Sequence, residues 1–246
     1  YQISEAYLNK LDEKTISFED ACLFVYMKSL LHFLGNDYQI EQTIIDEAQD
    51  YNKLQYILLK KILKKSKFTI LGDINQTINP YYQYKSLEDL KQVFNDEANY
   101  IELTKTYRSS PEIIEHANKI LNLNLISAIR RDTHIPVEFK YEDNLKEQLL
   151  EDISKLKPNN KSIAIITKTD TEATKIYKLL KRYLDELTLI ANNSKAFSRS
   201  LVVIPSYMAK GLEYDATIVY TEKENEFTYD ERYLYYVACT RSQHHL

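Results

Sequence analysis

Residues 43–51 read Thr43-Ile44-Ile45-Asp46-Glu47-Ala48-Gln49-Asp50-Tyr51. Thr43, Ile44 and Ile45 are a β-branched run without alternation, the pattern of a short strand in a parallel sheet covered on both faces. The acidic pair stands where that strand ends. Ligands of open α/β sheets bind beyond the carboxyl ends of strands, so Asp46 and Glu47 are expected to face a crevice. One carboxylate there suits Mg²⁺ held through its water shell, and a second suits orienting or deprotonating an attacking water. The same pair also suits the first turn of a helix, where acidic residues are favoured. This stretch alone leaves both readings open.

The chain has 246 residues, 44% of them hydrophobic, and a formal net charge of −4. Such a length suits one large domain or two small ones. Mild acidity argues against a whole-surface electrostatic grip on nucleic acid and leaves room for a local basic groove. Neither a membrane-spanning run nor a secretory leader is legible. Cys22 and Cys239 are far apart and lack ligand spacing, which fits reduced cytoplasmic thiols better than a disulfide or zinc site. The chain opens on Tyr1 rather than Met, so a piece of a longer protein is expected.

Upstream of the acidic pair, Ser17 is placed to cap a helix running from Phe18 to about Leu34, with Gly35 past its end. Leu23, Phe24, Met27, Leu30, Leu31 and Leu34 are read as its packing stripe. Downstream, Leu54, Ile57, Leu58 and Ile62 mark one side of a second helix and leave Lys60, Lys61, Lys64 and Lys65 toward solvent, either as a solvated helix end or as a phosphate contact. Phe68 to Leu71 reads as the next buried strand. Gly72 then allows a tight turn from which Asp73 and Gln76 emerge beside the first carboxylates. Asn79-Pro80-Tyr81-Tyr82 is a loop whose tyrosines either pack or stack on bases. A third apolar run, Tyr100 to Leu103, precedes Thr104-Lys105-Thr106-Tyr107-Arg108-Ser109-Ser110-Pro111. Ser110 and Pro111 start an amphipathic helix carrying Ile113, Ile114, Ala117, Ile120 and Leu121. Tyr107 and Arg108, in the turn before it, suit a base and a phosphate, or are simply surface residues.

In this order the segments resemble the superfamily 1 helicases of the UvrD and Rep kind. Ile44 to Asp50 looks like their motif II, Leu71-Gly72-Asp73-Ile74-Asn75-Gln76 like motif III, and Leu103 to Ser109 like motif IV. Asn75-Gln76, with the Tyr51 that follows Asp50, looks more like the HelD branch, the helicase-like factors associated with bacterial RNA polymerase.

The second half reads independently as strand and helix units. Ile135–Tyr141, Ser162–Thr167, Leu187–Ala191, Leu201–Ile204 and Ala216–Tyr220 are expected strands, and Ala173, Ile176, Tyr177, Leu180 and Leu184 mark a helix. A mostly parallel sheet is the economical arrangement. Pro205 to Asp215 resembles motif V, which implies that Gly211 approaches a nucleotide and Glu213 contacts its ribose. Tyr236-Val237-Ala238-Cys239-Thr240-Arg241 resembles motif VI, which implies an arginine finger at Arg241. Without the resemblance, Lys210-Gly211 is an ordinary turn and a helix-end arginine is solvated. His244 and Leu246 continue the family pattern, so the terminal histidines read as native sequence rather than a metal site.

The resemblance implies an α/β, RecA-like P-loop NTPase fold with mostly parallel sheets. Residues 1–104 would be the C-terminal part of a first RecA-like domain, and residues 105–246 a complete second one. It implies ATP and Mg²⁺ as ligands. Asp46 would hold the metal and Glu47 activate water. Gln76 would sense the γ-phosphate and Tyr107 stack on the base. Arg108 and Arg241 would meet the transferred phosphoryl group. A Walker A loop, Gly-x-x-x-x-Gly-Lys-Ser/Thr, is missing, since none of Gly35, Gly72 and Gly211 is followed by lysine. Motif I is expected upstream, and this segment alone is expected not to hydrolyse ATP. The chain also lacks tryptophan, so Tyr81 and Tyr82 are the candidates for base stacking. The short span between motifs IV and V excludes the large accessory insertion of strand-separating members. Three readings follow, in order of preference: a motor acting on RNA polymerase, a DNA-stimulated translocase, and a noncatalytic binding module of the same fold.

Overall fold

Ser17 caps the first helix as its sequence suggests. Its hydroxyl oxygen accepts the amide of Asp20 at 3.2 Å, and α1 (Phe18–Leu31) follows. The computed structural model describes residues 15–32, 39–78, 84–94, 98–123, 126–129, 134–140, 144–191 and 200–246. Two units divide the chain: residues 1–74 with 79–100, and residues 75–78 with 101–246. Motif III is thus split, since Gly72 and Asp73 fall with the first unit and Gln76 with the second.

In the first unit, β1 (Gln42–Ile45) and β2 (Lys67–Ile70) pair in parallel with Ile45 opposite Ile70. α2 (Lys53–Ile62) connects them. Its capping box joins the Asn52 side chain to the Gln55 amide and the Gln55 side chain to the Asn52 amide. Ile45, Ala48, Tyr56, Leu90 and Val93 form the core of the unit.

Three expectations fail here. β1 is not covered on both faces and β2 is not a buried strand, since Ile45 is buried but Ile44 and Leu71 are 67% and 51% exposed. No residue of α1 is buried, and Leu30 and Leu31 are 62% and 78% exposed. The apolar residues Leu23, Phe24, Val25, Tyr26 and Met27 are consecutive and therefore point all round the helix instead of along one stripe. Leu34 and Gly35 lie outside the described residues. The lysine row also divides. Lys60 donates to the Val93 carbonyl at 2.8 Å and covers the Phe94 ring, and Lys61 covers the Tyr26 ring of α1. Those two ammonium groups help pack the unit, leaving Lys64 and Lys65 exposed.

The second unit opens with β3 (Lys105–Thr106), parallel to β4 (Ser127–Ala128). The apolar run over 100–103 forms no strand, and Ile101 and Leu103 stay 78% and 86% exposed. A strand needs a neighbour for its backbone groups, and the described pairing begins only where Thr104 accepts the Ser127 amide. α3 (Pro111–Leu121) starts where Ser110 and Pro111 place it and buries Ile113, Ile114 and Ala117.

α4 (Leu145–Leu156) was not legible in the sequence. The central strands are β5 (Ile163–Thr167), β6 (Thr188–Leu189), β7 (Leu201–Pro205), β8 (Tyr214–Tyr220) and β9 (Ser242–His245), with α5 (Asp170–Leu180) between β5 and β6. Their order is β6-β7-β5-β8-β9, every pair parallel.

Both faces of this sheet are covered. Ile163, Ile165, Leu201 and Val203 pack with Leu149 and Ile153 of α4 and Ala173, Ile176 and Leu180 of α5. Ala164, Ile166, Val202 and Ile204 share the other cluster with Ala238 of α6 (Arg232–Cys239). The unbroken apolar runs therefore reflect a sheet buried on two sides. The strand expected at 135–141 is absent over 134–140, where the Glu138 amide reaches the Leu246 carbonyl at 3.0 Å; Tyr141 lies outside the described residues. The α/β class with parallel sheets is as the sequence implies.

Candidate functional site

The first unit builds its part from a strand end. The β1–β2 ladder continues past Ile45, with the Leu71 amide donating to the Ile45 carbonyl at 2.8 Å and the Ala48 amide to the Leu71 carbonyl at 2.9 Å. Between these bonds the chain turns through Glu47, whose φ of 54° and ψ of 45° are left-handed. A non-glycine residue there is strained by about 1–3 kcal/mol, and such strain gathers at functional sites. Glu47 stands at the N-cap of a single 3₁₀ turn, Ala48–Asp50, rather than in the first turn of an α-helix.

Asp46 is exposed and its Oδ1 accepts the Glu47 amide at 2.8 Å. The Glu47 carboxylate is held by Gln49, whose Nε2 donates to Oε2 at 2.6 Å. Gln49 is fully buried, and its Oε1 accepts the Asp73 amide at 3.0 Å. Below this turn the Tyr56 hydroxyl donates to the Ala48 carbonyl at 2.8 Å. Burial, with smaller contributions from Tyr84, Tyr51 and Asp50, holds that phenol well above its ordinary range.

Gly72 has a different role from the tight turn expected of it. A Cβ there would meet Gln49 Oε1 at 2.7 Å, Ala48 Cβ at 2.8 Å and Ala48 N at 2.9 Å. Glycine is required because the two segments after the strands nearly touch.

The second unit gathers its candidates where β8 and β9 begin. Arg241 is 1% exposed, the reverse of a solvated helix end. Its Nε donates to the Val237 carbonyl at 3.0 Å, Nη1 to the Leu212 carbonyl at 3.4 Å, and Nη2 to Thr240 Oγ1 at 3.1 Å and Gln76 Oε1 at 3.0 Å. The planar fork is thereby fixed in direction, which a lysine ammonium would not reproduce.

Arg108 forms an ion pair with Glu213, Nη2 to Oε1 at 2.7 Å, and Gln243 Nε2 donates to the other Glu213 oxygen at 2.9 Å. Tyr107 is 73% exposed, so its ring is open to stacking. The turn bearing Tyr107 and Arg108 is pinned to the last strand: Ser109 Oγ donates to the Ser242 carbonyl at 2.6 Å, and the Ser110 amide to the Gln243 carbonyl at 3.1 Å. Gly211 has a φ of 76° and nothing within 4 Å of where a Cβ would sit, so its requirement is backbone conformation.

Each unit thus collects its own set: Asp46, Glu47 and Asp73 in the first, and Gln76, Arg108, Glu213, Gly211 and Arg241 in the second. Tyr81 and Tyr82 lie outside the described residues. Reading the motifs alone assigned no role to Gln49, Ser109 or Gln243. A glutamine lying two places after the acidic pair was the available signal for the first.

A chain with these sets fits nucleotide chemistry. Among the described residues no three His, Cys, Asp or Glu groups gather to hold a metal ion. Mg²⁺ bound to phosphates needs only one or two carboxylates, which Asp46 can provide. No helix among the described residues is long and apolar enough to cross a membrane.

Residues 1–86 match the UvrD/REP helicase N-terminal domain. Over that stretch the chain is similar to the UvrD/Rep-type superfamily 1 helicases. One relative is the "Probable DNA helicase II homolog" of Mycoplasma genitalium, 26% identical over 206 residues, which are 74% of this chain and 29% of the relative. Another is the ATP-dependent DNA helicase Rep of Buchnera aphidicola, 34% identical over 131 residues, 51% of this chain and 19% of Rep. The chain therefore spans less than a third of these helicases. Among solved structures, the C-terminal domain of a possible DNA helicase from Lactobacillus plantarum WCFS1 is 30% identical, with a TM-score of 0.47 over 57% of this chain and 84% of that one.

Proposed function

We propose that this chain is part of the motor core of an ATP-dependent superfamily 1 DNA translocase. In this reading its two units belong to two RecA-like domains. The observation that carries it is the left-handed Glu47, held by a buried glutamine beside an exposed Asp46 at the end of β1. A carboxylate fixed in direction beside a second that is free to reach a metal is the arrangement that water activation on a phosphoanhydride requires.

In this function Asp46 binds the metal's water shell and Glu47 orients the attacking water and takes its proton. Mg²⁺ supplies neutralisation of phosphate charge. Tyr107 stacks on the base, while Glu213 accepts from the ribose and Gly211 lets the backbone approach the nucleotide. Arg108 and Arg241 donate to the oxygens on which charge develops, a role worth about 10³–10⁵ in rate in other nucleotide hydrolases. Gln76, bonded to Arg241, couples phosphate loss to movement. These residues contain no Gly-x-x-x-x-Gly-Lys-Ser/Thr loop of their own. The named relatives are DNA helicases, which favours single-stranded DNA as the track.

The HelD-like Asn75-Gln76 and the short span over 110–204 favour a second reading, in which ATP cycles act on RNA polymerase. Steady-state ATP turnover by the full-length protein separates the two. Strong stimulation by single-stranded DNA supports translocation. Turnover indifferent to DNA but altered by RNA polymerase supports the second. No turnover under any of these conditions, with the protein folded, overturns both in favour of a noncatalytic module.

A further inference from the structure

We propose that Gln49 is a positioning residue that locks the Glu47 carboxylate to the backbone at Asp73, so that the water-activating group and the opening of motif III at Gly72 and Asp73 move as one part. The inference rests on the catalytic role of Glu47 proposed above and deepens it.

The side chain is fully buried and both ends of its amide are engaged. Nε2 donates to Glu47 Oε2 at 2.6 Å, and Oε1 accepts the Asp73 amide at 3.0 Å. The partners themselves fix this orientation. Rotating the amide by half a turn would set oxygen against carboxylate and NH₂ against N–H, opposing like dipoles in a water-free place. A glutamine supplies donor and acceptor at one reach. Glutamate lacks the donor, and leucine lacks both.

Two independent features agree. Gly72 leaves room for Oε1, since a Cβ would stand 2.7 Å from it. Glu47 also adopts a left-handed backbone that an L-residue keeps only when its surroundings enforce it. Fixing both the backbone and the carboxylate removes rotamer freedom that the general base would otherwise lose in the transition state. The bond to the Asp73 amide carries the same restraint into the segment that leads toward Gln76.

The test compares Gln49→Leu and Gln49→Glu with the wild type in the full-length protein. Two readouts are taken: kcat and KM for steady-state ATP turnover, and hydrogen exchange at the Asp73 amide without nucleotide. Both variants should lose about tenfold to a hundredfold in kcat at little-changed KM, the scale for a displaced catalytic group. Gln49→Leu should expose the Asp73 amide to faster exchange. Gln49→Glu, which keeps an acceptor for that amide, should leave it protected.

A merely structural role would not separate the two variants in this way. Wild-type turnover that survives Gln49→Leu within about twofold, or Asp73 exchange unaltered by it, overturns the proposal while leaving the function reading intact. A wild-type protein that folds but turns over no ATP overturns the function reading, and this proposal with it. If Gln49→Leu proves unfolded, Gln49→Glu decides: kcat within about twofold of wild type overturns the proposal.

Discussion

Arg241 Nη2 donates to Gln76 Oε1 across 3.0 Å, joining side chains 165 positions apart. Both lie in the second unit, and the arginine is almost wholly buried. A hydrogen bond to a buried charged group contributes roughly 1.5–3 kcal/mol. Gln76→Ala should therefore lower the unfolding free energy by about that amount in urea titrations. Gln76→Glu should recover part of it, since a carboxylate is an equal or better partner for guanidinium.

Replacing Glu47 by Gln keeps the shape of the side chain and removes its basicity. In the full-length protein Glu47→Gln is expected to abolish ATP turnover while leaving nucleotide affinity within a few-fold, as read by titration calorimetry. Lost affinity would mean that Glu47 serves binding or folding rather than water activation.

Gly72→Ala places a methyl group 2.7–2.9 Å from Gln49 and Ala48. Overpacking of this kind costs about 1–3 kcal/mol. The two segments should be forced apart, so loss of stability is expected together with a fall in turnover. Gly211→Ala has open space and meets only backbone strain, so a smaller loss of stability, about 1–2 kcal/mol, is expected.

The 246 residues by themselves should not hydrolyse ATP, because the three glycines they contain form no Gly-x-x-x-x-Gly-Lys-Ser/Thr loop. Release of phosphate by the purified segment, dependent on Mg²⁺ and abolished by Glu47→Gln, would refute this.

Among the described residues burial raises the pKa of four neutral acids, Tyr220 being one of them. The Cys239 thiol is pushed up to about 12 from an ordinary 9.0, Tyr84 to about 12 from 10.0, assisted by Asp89, and Tyr56 higher still. A raised folded value favours the protonated form in the native state, so its stabilising effect is complete below the unfolded value and is lost as pH rises through the folded one. Stability should accordingly decline from about pH 9 toward pH 12. Urea midpoints measured across that range check it, and Tyr84→Phe should flatten the decline although it gives up the bond to the Tyr51 carbonyl.

Much of this arrangement was legible in the residues. Ser162–Thr167 and Leu201–Ile204 were expected as strands of a mostly parallel sheet, and they are; cover on both faces was expected at Thr43–Ile45 instead, where Ile44 is 67% exposed. Asp46 and Glu47 were placed by the rule that ligands meet the carboxyl ends of strands. That rule does not reach Arg241, which lies at the beginning of β9, where only the resemblance singled it out. The sequence could not reveal that Ile101 and Leu103 would remain exposed, because a strand depends on neighbours far away in the chain. Nor could it show Gly72 giving way to Gln49, a matter of two segments approaching in space. The stripe on α1 is no guide to burial because the residues between its members, Val25 and Tyr26, are apolar too.

The last strand is fastened at both of its ends. Ser242 and Gln243 receive donors from the turn beside Arg108, and Leu246 receives one from Glu138. The turn that carries Arg108 and the strand that follows Arg241 therefore share one set of hydrogen bonds, so that a change at Ser109 displaces the setting of both arginines together.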